Sequence, residues 1–222
     1  MKLTHQTKKI MALILAPLSF LIIGYGLIFV LAKPALRPLY SIYHLISSEY
    51  GPNFNDDTKS LYTNKNGKND GIIALSDIEM PKVGDQYGQI TIKDVGLNVK
   101  LYYGDSEEIL MNGAGQFQGS FMSGFHRTIM VAGHTIPYFQ KFGELNKGNE
   151  VEISTHYGDF TYKITDIKVG KFNDSSMYDL AQSAKEQLIM YTCYPLDGIG
   201  FKQDRLFVYA DKVSGPSVQG VS

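Results

Sequence analysis

One thiol, one imidazole and one guanidinium in this chain stand where a β-strand ends or begins. Cys193 is the only cysteine, and it follows the apolar run Leu188-Ile189-Met190-Tyr191 and Thr192. His134 closes Ile129-Met130-Val131-Ala132-Gly133-His134. Arg205 opens Arg205-Leu206-Phe207-Val208-Tyr209-Ala210, 12 positions after the cysteine. A thiolate attacks a peptide carbonyl, and an imidazole moves the proton that the leaving amine needs. A guanidinium keeps its charge and can donate to the oxyanion that forms. Three such groups at strand ends can share one site at the rim of a small barrel. Thr192, beside the cysteine, adds a hydroxyl and a backbone N–H on the substrate side. Singly, each has a plainer reading: a small buried core residue, a structural histidine, a salt-bridged arginine. Their conjunction is what points to nucleophilic catalysis. Both the neutral pair and the thiolate–imidazolium pair stay open at this point.

Composition narrows the classes. The chain has 222 residues, 21 Lys+Arg against 22 Asp+Glu, and a net charge of −1. No basic excess offers a face to nucleic acid. One cysteine excludes an intrachain disulfide. With 15 Tyr, 12 Phe and 22 Gly, and little helical periodicity after residue 50, the composition favours β-structure. There is no GxGxxG, P-loop or HExxH. Asp56-Asp57, Asp77/Glu79 and Glu107-Glu108 lack a metal-loop pattern and read as solvated faces. The expectation is no metal and no cofactor, with bound Ca²⁺ left open. His126 and His156 read as surface residues in loops, and His5 and His44 have no plausible partner.

The elements that must position the site follow in order. Residues 1–9 form a short basic stub. Ile10 to Ala32 is an uncharged apolar run of about 23 residues, enough to cross a core of ~30 Å. Lysines before it predict a cytoplasmic N-terminus and a single-pass signal anchor with the rest of the chain outside the cell. The other reading, a cleaved signal peptide, fits less well because its apolar region is normally shorter. Residues 33–71 hold an amphipathic helix (Pro34 to Ser48) and an Asn/Asp/Lys/Gly-rich linker, read as flexible. Strands are predicted over Gln89–Lys93, Leu97–Tyr103, Thr128–Ala132, Glu150–Ser154, Phe160–Thr165, Gln187–Thr192 and Arg205–Val213. Short helices are predicted from Ser106, over Pro137–Leu145, and over Met177–Ala184 inside a polar connection, Val169 to Lys185. Tail residues 214–222 read as frayed. About eight short strands in roughly 140 residues imply a closed or nearly closed barrel over residues 72–213.

The ordered set Gly133-His134-Thr135, Phe142-Gly143-Glu144-Leu145, Lys147-Gly148-Asn149-Glu150-Val151, Phe160-Thr161-Tyr162-Lys163-Ile164, Tyr191-Thr192-Cys193-Tyr194-Pro195 and Asp204-Arg205 resembles the sortases of Gram-positive bacteria. The Thr-Cys-Tyr-Pro run, its Gly-containing loop and Asp-Arg are most similar to class D. The resemblance covers roughly Ile90 to Val213. It implies a mainly β fold, one eight-stranded sortase-type barrel with short helices behind an N-terminal transmembrane helix. It implies cysteine transpeptidation: cleavage of an LPxTG-like sorting signal on a surface protein, a thioester, and transfer to an amine of lipid II or peptidoglycan at the cell membrane. Residue by residue, Cys193 matches the nucleophile, His134 the general acid/base and Arg205 the oxyanion or substrate-positioning arginine. Two departures stand out. The family's TLxTC reads Ile189-Met190-Tyr191-Thr192-Cys193, and Thr135 stands where many members have Arg. No Asp-Pro-aromatic lid of pilin-polymerising members occurs in the linker. Substrate reading in the family falls to the loop here spanning Val169 to Lys185. A non-catalytic barrel binding peptide or wall polymer is the alternative. A papain-like amidase is disfavoured, since those place Cys before His.

Overall fold

Eight strands, most with every second side chain apolar, close into a barrel. They are β2 (Gln86–Ile92), β3 (Leu97–Tyr103), β4 (Ala114–Gln116), β5 (Ile129–Ala132), β6 (Glu150–Thr155), β7 (Asp159–Lys171), β8 (Gln187–Tyr194) and β9 (Asp204–Ser214). Around the barrel the order is β2-β3-β4-β5-β8-β9-β7-β6. Two further strands, β1 (Ile72–Ala74) and β10 (Ser217–Gln219), form a separate parallel pair. The computed structural model describes residues 13, 15–28, 60–62, 71–178, 185–197 and 202–220. The predicted mainly β class and eight-stranded barrel are found.

Alternation sorts the side chains. Inward positions such as Ile90, Leu101, Val131, Ile153, Phe160, Leu188, Met190 and Val208 are buried to 2% or less. Each such burial contributes about 1.5–3 kcal/mol. On β5, β8 and β9 the outward positions Met130, Ile189 and Phe207 are also buried, in a second, smaller cluster. Closure removes the unpaired edges that an open sheet would expose.

Connections matter most where strands run parallel. β5 pairs β8 in parallel, and β6 and β7 lie between them in the chain. A parallel pair needs such a crossover, and its strands end on the same side. β9 is antiparallel to β8, so β9 begins where β8 ends. The ends of β5 and β8 and the start of β9 therefore meet.

Three expectations change. β7 runs on to Lys171 and pairs Val169, Gly170 and Lys171 with Leu206, Arg205 and Asp204, so the predicted polar connection starts three residues later. Its polar, exposed outer residues hid the strand. The predicted helix in that connection is a short turn, Ser175–Tyr178; residues 179–184 lie outside the described residues. Residues 214–222, read as frayed, contain β10, with Val218 buried. The linker is tied down at one point: Leu61 N and Tyr62 N donate to Gln86 O at 2.9 and 3.2 Å.

The chain splits into two units, Met1–Tyr40 and Ser41–Ser222. In the first, residues 15–28 form helix α1, with apolar side chains exposed, Phe20 at 80% and Ile23 at 69%. Among the described residues no helix is long and apolar enough to cross a membrane. Both ends of the expected 10–32 anchor, the helix expected from Pro34 to Ser48, and His5 and His44 lie outside the described residues.

Candidate active site

Cross-strand register builds the site in rows. On the outer face of β5, β8 and β9 the first row is Met130, Ile189 and Tyr209, and the second is Ala132, Tyr191 and Phe207. In the third row Cys193 pairs with Arg205. His134 stands two residues beyond Ala132, as Cys193 stands two beyond Tyr191. Neighbouring strands lie about 4.8 Å apart. The thiol thus occupies the central strand, with the imidazole's strand on one side and the guanidinium's on the other. The site lies where an apolar stripe of the barrel's outer wall reaches the strand ends, at the rim that the sequence suggested. Outward alternation along β8 sets this, since Cys193 shares parity with Ile189 and Tyr191.

Each side chain has its own support. Gly133, before the histidine, is required by close approach: a Cβ there would lie 2.5 Å from the Phe139 ring. His134 is half-buried and caps the Thr135–Phe139 turn, where Phe139 N donates to His134 O at 3.1 Å. Its Nε2 lies 4.0 Å from Glu107 Oε1, at the start of helix α2 (Glu107–Leu110). Cys193 is a half-buried free thiol. Arg205 Nη1 donates to Lys202 O at 2.8 Å and Asp204 O at 3.0 Å, and its guanidinium lies 5.7 Å from the Phe172 ring centre. Nε and Nη2 carry no hydrogen bond among the described residues. Thr192 faces inward, is buried, and donates its hydroxyl to Gly133 O at 2.8 Å.

An aromatic platform backs the site. Tyr178 meets Phe207 and Tyr191 edge-on, at 5.1 and 5.8 Å. Such pairs are worth about 0.5–1.5 kcal/mol each beyond buried area. Tyr178 also donates to Phe172 O at 2.8 Å, and Tyr209 donates to Met177 O at 3.0 Å. Gly170 lets Met177 lie close, since a Cβ there would stand 2.8 Å from its sulfur. Burial, then the nearby Asp105, pushes the Tyr191 phenol up to about 12, so the platform stays neutral beside the thiol.

Sequence reading singled out His134, Cys193 and Arg205; Cys193 and Arg205 are cross-strand partners, and His134 lies two residues past the end of β5, the strand on the other side of β8. That reading missed the contacts of Glu107, Phe172 and Thr135, each made by residues far apart in the chain. Glu107 is exposed, as expected of a solvated face, with its side chain 62% accessible. Asp56-Asp57 lies outside the described residues. His126 is exposed as expected. His156 is half-buried, with Nε2 2.9 Å from Glu79 O. Among the described residues no group of three or more His, Cys, Asp or Glu is placed to hold a metal ion.

The sortase domain family matches residues 90–213. Sortase D of Bacillus subtilis (strain 168) is 31% identical over 134 residues, covering 60% of this chain and 67% of that protein. A solved Clostridium perfringens sortase D5 transpeptidase is 27% identical with a TM-score of 0.53, covering 60% of this chain and 82% of that one. Sortase C from Clostridium perfringens SM101 is 25% identical with a TM-score of 0.53, covering 60% and 72%. With its barrel, its outer-wall site and these relatives, the chain belongs to the sortase family of cysteine transpeptidases.

Proposed function

We propose that the protein is a membrane-anchored sortase that cuts an LPxTG-like sorting signal on surface proteins and joins them to an amine of lipid II or peptidoglycan. The observation that carries the reading is that Cys193 and Arg205 pair across β8 and β9 while β5, whose end leads into His134, flanks β8 on the other side. Cys193 sulfur attacks the Thr carbonyl carbon of the signal, and the Thr–Gly amide bond breaks as His134 hands a proton to the leaving amine. Arg205 donates to the oxyanion and the incoming backbone. The acceptor amine then attacks the thioester carbon, His134 takes its proton, and the C–S bond breaks. Water in place of the amine gives hydrolysis as a side reaction. Thr192, its hydroxyl held by Gly133 O, serves substrate binding through the backbone beside the nucleophile. No cofactor enters these steps.

The exposed apolar surface of α1 supports the anchor, with the N-terminus in the cytoplasm and the barrel outside. Intact-mass spectrometry of the full chain in detergent, with an LPxTG peptide and hydroxylamine, tests the reaction. An acyl adduct on Cys193 and a hydroxamate product are expected, and Cys193→Ala should abolish both while the barrel stays folded. Absence of an adduct across LPxTG and LPxTA series would favour a binding module instead.

A further inference from the structure

The backbone ladder between β5 and β8 stops short of the two residues it has to align. Its last bond beyond the paired strands runs from Gly133 N to Tyr191 O at 3.2 Å. At His134 the chain leaves the sheet for the Thr135–Phe139 turn. Two hydroxyls continue the ladder. Thr192 Oγ1 donates to Gly133 O at 2.8 Å, and Thr135 Oγ1 donates to Cys193 O at 3.0 Å. The two hydroxyl oxygens are 2.9 Å apart. Both residues are buried, at 8% for Thr135 and 2% for Thr192. Two protons serve three contacts, so loss of either hydroxyl disrupts the set.

We propose that Thr135 is a positioning residue of the transfer reaction. Its hydroxyl is the last rung between the strand carrying Cys193 and the turn carrying His134, and it fixes how the imidazole stands against the thiol. The Cys193 carbonyl points toward the β5 side, as the Tyr191 carbonyl does two residues earlier, and there it accepts this hydroxyl. Misplacement of reacting groups by about 1 Å can cost on the order of 100-fold. A single hydrogen bond shifts such a balance by roughly tenfold or less.

The proposal rests on the transpeptidase reading for its kinetics, so the test adds a reaction that needs no peptide. Full-length wild type, Thr135→Val and Thr135→Ser are compared in detergent for Cys193 acylation, iodoacetamide alkylation and thermal melting. The valine variant should acylate roughly tenfold more slowly at saturating peptide with KM unchanged, and its alkylation rate should change about threefold. The serine variant should restore both rates to within about twofold. If the valine variant fails to fold, Thr135→Ala carries the same expectation. Wild-type rates in the variant lacking the hydroxyl, or a serine variant as slow as it, would overturn the proposal. If the wild type itself is never acylated, the transpeptidase reading falls, and equal alkylation of wild type and variant would then overturn the rung.

Discussion

Cys193 and Arg205 are direct partners across the antiparallel β8–β9 ladder. This fixes the guanidinium by backbone register, and Nη1 is further held by the carbonyls of Lys202 and Asp204. A lysine ammonium has one nitrogen and cannot both hold those carbonyls and reach an oxyanion. Arg205→Lys should therefore lower kcat/KM for acylation by about 100-fold, in the range for a lost oxyanion donor. Steady-state kinetics with the LPxTG peptide decide it; a fall of only a few-fold would remove Arg205 from the oxyanion role.

Phe172 lies under the Arg205 guanidinium, tied by its N–H to Gln203 O at 2.9 Å. An exposed cation–π contact is worth about 0.5–1 kcal/mol. Phe172→Leu should reduce kcat/KM about two- to fivefold, and Phe172→Tyr should match wild type. Equal rates for Phe172→Leu and wild type would show that the two backbone carbonyls alone orient the arginine.

At the opposite end of the same hairpin, Glu186 is a buried carboxylate. It accepts from Gly124 N at 2.8 Å, His126 N at 3.2 Å, Tyr162 Oη at 2.6 Å and Lys212 Nζ at 3.2 Å. Glu186→Gln leaves Lys212, itself mostly buried, without its counter-charge and turns an acceptor into a donor. Breaking a buried pair costs about 3–5 kcal/mol, so the melting point should fall by roughly 10 °C. Calorimetry gives the answer, and a drop below about 3 °C would mean that the remaining donors suffice.

Val218 and Val213 give a paired test of the C-terminal segment. Val218 is 4% exposed and its N–H donates to Gly124 O at 2.8 Å, whereas Val213 is 59% exposed. Val218→Asp should destabilise by about 2–4 kcal/mol through a buried charge and lost apolar area. Val213→Asp should change stability by less than about 0.5 kcal/mol. Denaturant melts of both variants check this, and similar midpoints would show that β10 adds no stability.

The chemistry was legible early because it hangs on residue types. One cysteine leaves one thiol, and strands such as Leu97–Tyr103 announce their bounds by alternation. Local pattern could not say which face of β8 looks outward, since Leu188, Ile189 and Met190 are all apolar and all buried. It also missed β10, whose three residues acquire their role only by pairing with β1, far away in the chain. The sequence by itself determined the thiol, the imidazole, the guanidinium and the strands that carry them. Only the tertiary structure decided that Cys193 pairs with Arg205 beside the end of β5, with Phe172 under the arginine and Thr135 bonded to the Cys193 carbonyl. Side-chain periodicity is a property of one strand, whereas the parallel β5–β8 pairing is made by a crossover through two others.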